Sequence, residues 1–244
     1  MAAQYDRIAE QYQRTKSSPL RSWVEVPSFM RLAGPVAGLR VLDLACGDGF
    51  YTRRLRAAGA QVLGIDISAA MIELAEAEER QAPLGLQYLR ADVTELPELG
   101  CFDLVTAAYL LHYAPDRDAL FAMCRNIARC LSSGGRFVAL NENPGQPAET
   151  QGEYAGYGFS KSVATPLHDA ASITYRMISG REVFRFDVHW YSRRTYEEAL
   201  RAAGFGEISW RPLQLDPAGA EAMGSDYFAA YLENPPVLLL ECRL

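Results

Sequence analysis

The sequence predicts an α/β fold: a seven-stranded, mostly parallel sheet with helices on both faces, an N-terminal helical cover and an inserted β-ribbon. Two observations carry this. From residue 40 onward, short apolar runs alternate with segments of helical period, and acids and glycines collect where the runs end. Right-handed crossovers between such runs bring their carboxyl ends to one edge, where an open α/β sheet binds ligands.

The elements follow in order. Residues 1–36 read as helical, with Tyr5, Ile8, Ala9 and Tyr12 on one face that needs a surface to pack on, and the crevice of the sheet is the expected surface. Strands are expected at 40–45, 61–66, 86–91, 102–107 and 136–141, with helices at 51–58, 69–81 and 117–131 between them. Residues 144–193 break the rhythm. They open on Pro144-Gly145 and Pro147, are rich in Tyr and His, and hold two alternating runs, 173–178 and 183–191, about Ser179-Gly180; these runs give the ribbon. A helix at 195–203, stopped by Gly204, precedes strands at 207–213 and 237–242, expected as an antiparallel pair at the far edge. No repeat or linker divides the chain, so residues 1–244 are expected to form one domain: a cover (1–36), a core (37–143), an insert (144–193) and closing elements (194–244).

Composition narrows the function. With 49% hydrophobic residues in 244, the chain can bury a substantial core. Lys and Arg total 24 against 30 Asp and Glu, a net charge of −6 that disfavours a phosphate-binding surface for nucleic acid. The five cysteines, Cys46, Cys101, Cys124, Cys130 and Cys242, lie far apart without zinc-ligand spacing, so a reduced protein with no metal site is expected. The N-terminal stretch lacks a cleavable apolar signal, and the longest aliphatic run is only Val237 to Leu240. A cytoplasmic chain without a membrane partner is therefore the expectation; oligomeric state is not legible.

The chemistry concentrates in Val41-Leu42-Asp43-Leu44-Ala45-Cys46-Gly47-Asp48-Gly49. A strand ends in a turn where Gly47 and Gly49 let main chain approach a ligand. A dinucleotide fingerprint needs a third glycine at position 52, which is Thr52, and Asp43 suits a cationic head group better than a pyrophosphate. At the second strand's end Asp66 stands where a carboxylate accepts both ribose hydroxyls; its other reading is a helix cap, for which Ser68 is better placed. Asp92, ending the third strand, reads either as acceptor for an adenine amino group or as a turn cap. Spacing alone therefore gives an adenosine-like ligand.

These residues resemble the class I S-adenosylmethionine-dependent methyltransferases over roughly residues 38–142: D-x-A-C-G-x-G at 43–49, G-I-D-I-S at 64–68 followed by Met71, A-D-V at 91–93, F-D-L-V at 102–105 and the run around Gly134-Gly135. The resemblance implies a Rossmann-like sheet and S-adenosylmethionine as cofactor. It places the cofactor against Tyr5, Tyr12, Asp43, Ala45, Gly47, Gly49, Asp66, Ile67, Met71, Asp92, Val93 and Ala107. Finer motifs, including A-A-Y-L-L-H-Y-A and Trp190-Tyr191-Ser192, are similar to N-methyltransferases of azapteridine toxin (toxoflavin-type) biosynthesis.

The implied activity is methyl transfer to nitrogen or oxygen of a small aromatic or heterocyclic acceptor in secondary metabolism. Tyr109 and His112, after the fourth strand, are the candidate catalytic groups. Glu142, Tyr154, Tyr157, His189 and Trp190 are the candidate acceptor-binding residues, with Tyr175 as a further aromatic face. Nucleic acid is further excluded as acceptor because no D-P-P-Y tetrapeptide or Pro-Cys nucleophile is present. A nicotinamide-dependent oxidoreductase and a non-catalytic cofactor-binding subunit remain the alternatives.

Overall fold

A computed structural model describes residues 2–146, 154–179 and 182–244; Pro147 and Gly180, used above as turn markers, lie outside them. Residues 2–33 form two short helices, α1 (Ala2–Asp6) and α2 (Ala9–Thr15), a π-helical turn at Arg21–Glu25, and α3 (Val26–Ala33). The single amphipathic face expected here is broken at Ile8, yet Tyr5 and Tyr12 still meet edge to face, ring centres 5.1 Å apart.

The core follows as β1 (Arg40–Leu44), α4 (Phe50–Ala57), β2 (Gln61–Asp66), α5 (Ala69–Gln81), β3 (Gln87–Arg90), β4 (Phe102–Ala108), α6 (Arg117–Arg129) and β5 (Leu131–Glu142). The insert supplies β6 (Phe159–Val163), β7 (Ala171–Ser179) and β8 (Glu182–Trp190), and the chain closes with α7 (Arg193–Ala202), β9 (Glu207–Arg211), α8 (Pro217–Met223), α9 (Ser225–Glu233) and β10 (Val237–Arg243). The main sheet has the expected seven strands in the order β3-β2-β1-β4-β5-β10-β9. Its first five strands are parallel, and β10 runs antiparallel between β5 and β9.

Strand residues alternate between two apolar clusters, as a sheet covered on both faces requires. Leu42, Val105 and Phe137 pack with α6 and α7, whereas Val41, Leu104 and Val138 pack with α3, α4 and α9. The inserted ribbon has a third strand, β6, beyond the two expected, and forms an antiparallel sheet in the order β6-β7-β8. Its Phe184, Phe186 and Val188 join the α3, α4 and α9 cluster, so the ribbon packs on the same side as the N-terminal cover. The cover meets the ribbon where Gln4 exchanges hydrogen bonds with the Asp187 main chain, Arg14 pairs with Glu182, and Tyr5 and Tyr12 pack on Phe186.

Two helices, α8 and α9, went unassigned in the sequence reading, although Asp216 caps α8 and Pro217 opens it. Among the described residues no helix is long and apolar enough to cross a membrane.

Candidate active site

Two cavities open at the carboxyl edge of the parallel strands. The larger, about 870 Å³, is bordered by the loop after β1, the ends of β2 and β3, the segment after β4, and the cover. The backbone turns sharply out of β1: Ala45 has φ 53° and Gly47 φ 58°, both left-handed. At Gly47 a Cβ would meet only the ends of Lys16 and Met71 at ordinary contact distance, so it is the positive φ that favours glycine. Cys46, inside this turn, is buried, and burial pushes its thiol well up, so it serves as a small side chain.

Asp66 borders this cavity at the end of β2. Its Oδ2 accepts the Gly47 N–H at 2.8 Å and its Oδ1 the Ser68 N–H at 2.9 Å. Burial raises the Asp66 carboxyl, and these two N–H groups oppose the shift. Ser68, rather than Asp66, caps α5 by accepting from Met71 N. Asp92 accepts from Thr94 N and Oγ1 through Oδ1 while also bordering the cavity, so its capping and its access to a ligand coexist. Ala45, Gly47, Ile67, Met71, Val93, Tyr5 and Tyr12 also border this cavity.

Three expected cofactor residues do not border the cavity. Asp43 is buried one layer behind it, its two oxygens taken by the Thr52 and Thr106 hydroxyls at 2.6 and 2.8 Å, and burial raises its carboxyl to about 6. Gly49 starts α4 with φ 82°, where a Cβ would strike the Tyr88 phenol; its requirement for glycine is structural. Ala107 packs toward α6, and strand alternation gives the cavity Ala108 instead.

The cover closes this cavity. Asp6 accepts from Ser68 Oγ at 2.5 Å and from Ala70 N, Tyr5 bonds the Tyr113 phenol, and buried Lys16 pairs with Asp48. These contacts bridge the cavity mouth, so ligand binding beneath them should slow their opening. Hydrogen exchange across residues 4–16 is expected to slow when S-adenosylhomocysteine is added. Identical exchange with and without it would leave the cover as ordinary packing.

The smaller cavity, about 530 Å³, lies between the cover, the ribbon and α9. Tyr12, Arg21, Tyr109 and Tyr113 border both cavities and form their common wall. Of the expected acceptor residues Glu142 borders this cavity, and so does Tyr175. Lys161 and Gln146 join Glu142 in a buried cluster: Lys161 pairs with Glu142 Oε1 and donates to Gln146 Oε1 at 2.6 Å, and Tyr175 donates to Glu142 Oε2 at 2.8 Å. A second buried carboxylate, Glu25, accepts from Tyr109 at 2.6 Å and Tyr231 at 2.7 Å, with Arg21 at 3.4 Å.

Four expected acceptor residues stand outside. Tyr154 is buried in the core, stacked on Phe159 and donating to Asn234 O. Tyr157 donates to Tyr227 O on α9. His189 and Trp190, at the end of β8, point into packing where His189 Nδ1 and Trp190 Nε1 find no hydrogen-bond partner among the described residues. Tyr154, Tyr157 and Trp190 belong to the apolar cluster that joins the insert to α9 and the sheet.

His112 borders the smaller cavity, but its Nδ1 accepts from Glu142 N at 3.2 Å and lies 3.1 Å from Asn141 Oδ1. Burial lowers it to about 3, which Asn141 opposes and Lys161 reinforces. So weak a base is poorly matched to taking a proton near neutral pH, contrary to the sequence expectation. Because the unfolded imidazole protonates near pH 6.5 while the folded one stays neutral, acid favours the unfolded chain: this contribution is whole above about 6.5 and is lost toward 3. Between pH 7 and 5 the stability difference between wild type and His112→Gln should shrink by ~2 kcal/mol. Asp43 titrates in the opposite sense, but it is common to both proteins. Urea melts at the two pH values measure the difference.

Lys16, Arg21, Glu25, Tyr51 and Lys161 were missed. One sequence signal was available: Lys16 and Lys161 are the only lysines in this arginine-rich chain, and both are buried in ion pairs near the two cavities.

The larger cavity fits S-adenosylmethionine on its own chemistry. Two strand-end carboxylates suit ribose and adenine donors, and aromatic rings around Tyr5, Tyr12 and Tyr113 suit a sulfonium. Tyr51, bordering it and buried, has a hydroxyl without a partner among the described residues, as expected of a group that meets a ligand.

Comparison with known proteins agrees with this chemistry. The sequence profile of the family described as a methyltransferase domain matches residues 41–135. A ubiquinone biosynthesis O-methyltransferase of Bordetella avium is 33% identical over 132 residues, 52% of each chain, so the match spans about half the length of that relative. A demethylmenaquinone methyltransferase of Lactococcus lactis is 35% identical over 212 residues, covering 84% of this chain and 79% of the relative. The solved structure of an S-adenosylmethionine-dependent methyltransferase from Clostridium acetobutylicum shares the fold, with TM-score 0.68, 19% identity and 98% coverage of both chains.

Proposed function

This chain belongs to the class I S-adenosylmethionine-dependent methyltransferases, and from that premise we propose that it methylates nitrogen or oxygen on a small, planar, aromatic acceptor carrying an ionisable N–H or O–H. One observation carries the reading: two cavities meet along the wall formed by Tyr12, Arg21, Tyr109 and Tyr113, so a methyl donor in one faces an acceptor in the other. When bound, S-adenosylmethionine supplies a methyl group already activated by a positive sulfur.

The residues of the chain then bind, orient and exclude water. Asp66 and Asp92 take the ribose hydroxyls and the adenine amino group. Tyr5, Tyr113 and Lys16 close the mouth. In the smaller cavity the Tyr109, Tyr231 and Tyr175 protons are directed to carboxylates, which leaves mainly lone pairs facing a ligand. An acceptor that donates hydrogen bonds to these tyrosines is favoured there, while Arg21 puts a guanidinium on the same wall.

The quinone-biosynthesis names of the relatives and the toxoflavin-type motif likeness both support a planar ring with ionisable groups. The test is incubation with methyl-labelled S-adenosylmethionine and a panel of catechols, naphthols and amino-heteroarenes. Label transferred to ring oxygen or nitrogen supports the reading; label transferred only to carboxylates, or to none of the panel, contradicts it.

A further inference from the structure

A hydroxyl or non-basic heteroaromatic N–H acceptor must lose a proton on methylation, and His112 is a poor recipient for it. Tyr109 is one of the four residues bordering both cavities, and its hydroxyl donates to Glu25 Oε2 at 2.6 Å. Its backbone is held at φ 67°, a conformation unfavourable for a bulky side chain, with its N–H bonded to Leu140 O at 2.8 Å. Glu25 itself borders the smaller cavity, buried, with its other oxygen held by Tyr231. The other carboxylate bordering the smaller cavity, Glu142, is already paired with Lys161 and bonded by Tyr175, and neither it nor Tyr175 borders the larger cavity.

We propose that Tyr109 and Glu25 form a proton relay: Tyr109 Oη takes the acceptor's proton while passing its own to Glu25. The relay rests on the methyl-transfer reading above. As the acceptor atom attacks the methyl carbon, its lone pair becomes the new bond to carbon and the S–C pair stays on sulfur. The acceptor's proton moves to Tyr109 Oη, and the Tyr109 proton moves to Glu25. The products are the methylated acceptor, S-adenosylhomocysteine and a protonated Glu25, which returns its proton to solvent. Strain at Tyr109 then has a use, because it aims the phenol at the common wall and at Glu25 together. The titratable groups facing Glu25 are Arg21 on its own turn, Tyr109 after β4, Tyr231 on α9 and Tyr51 on α4.

The test uses the full chain saturated with S-adenosylhomocysteine and titrated with 4-nitrocatechol, whose visible band moves to longer wavelength on ionisation, at a pH where the free dye is mostly protonated. The wild type should bind it in the ionised form. Glu25→Gln and Tyr109→Phe should bind it within about threefold of wild type but retain the protonated band. S-adenosylhomocysteine affinity, by calorimetry, should stay within about threefold and so report an intact fold. With a hydroxyl acceptor that the wild type methylates, Glu25→Gln should lower kcat at least a hundredfold at pH 7, in the range of general-base effects of roughly 10²–10⁴. That deficit should narrow at a pH where the acceptor ionises by itself, whereas structural damage would persist at every pH. A band shift unchanged in both variants, or abolished only by Glu142→Gln, overturns the relay while leaving methyl transfer standing. A wild type that neither binds the dye nor methylates any hydroxyl acceptor removes the methyl-transfer reading, and the relay with it.

Discussion

Replacing Asp66 with Ala is expected to weaken S-adenosylmethionine binding by about a hundredfold or more, ~2.8 kcal/mol at 25 °C. The carboxylate is 9% exposed, and its two oxygens are already oriented by the Gly47 and Ser68 N–H groups, so it meets a ribose without reorganising. Two charge-assisted hydrogen bonds contribute ~1.5–3 kcal/mol each, and water replaces them imperfectly in a closed cavity. The substitution also strands the buried Ser68 N–H, which costs about 1–3 kcal/mol of stability. Calorimetry should therefore be run well below the melting transition. Asp66→Asn, which keeps one acceptor oxygen, should lose less. Unchanged affinity in a folded Asp66→Ala protein would reject the assignment.

Lys161→Met should destabilise the protein by about 3–5 kcal/mol without touching the cofactor cavity. Lys161 and Glu142 are 0% and 1% exposed, so removing the cation leaves a carboxylate that water cannot reach. Tyr175 supplies one hydrogen bond to that carboxylate and the Gln146 amide becomes a neighbour without its cation, which is too little to hold a full charge. A second change, Glu142→Gln, removes the stranded charge and should restore at least ~2 kcal/mol, because the penalty belongs to the unpaired ion rather than to the lost contact. Urea denaturation of the single and double variants measures both. A single variant within about 1 kcal/mol of wild type would mean the pair is solvated.

What was legible in the sequence was local. The strand after residue 40, its glycine turn, Asp66 at the next strand end and Ser68 as cap all rest on residues within a few positions of one another, and they stand where expected. Ala107 against Ala108 failed by one position, because a strand end gives no local sign of which face the ligand occupies. The strand Phe159–Val163 was missed because Ser160, Lys161 and Ser162 dilute its apolar pattern. The acceptor side was least legible. Glu25 with Tyr109, 84 positions apart, and Lys161 with Glu142, 19 apart, become partners only once the cover and the ribbon fold onto the same side of the sheet. The aromatic richness of the insert marks Tyr175, Tyr154 and Trp190 alike, and only Tyr175 of these borders the smaller cavity.

The central claim is that cofactor and acceptor occupy adjoining cavities in line across Tyr109 and Tyr113. A bisubstrate ligand tests it most directly: S-adenosylhomocysteine carrying, at the position of its sulfur, a short alkyl chain that ends in a hydroxyphenyl group. If the cavities adjoin, the tethered ring enters the second one at high effective concentration, and calorimetry should find binding at least a hundredfold tighter than S-adenosylhomocysteine itself. Affinity equal to or weaker than that of S-adenosylhomocysteine would contradict the arrangement.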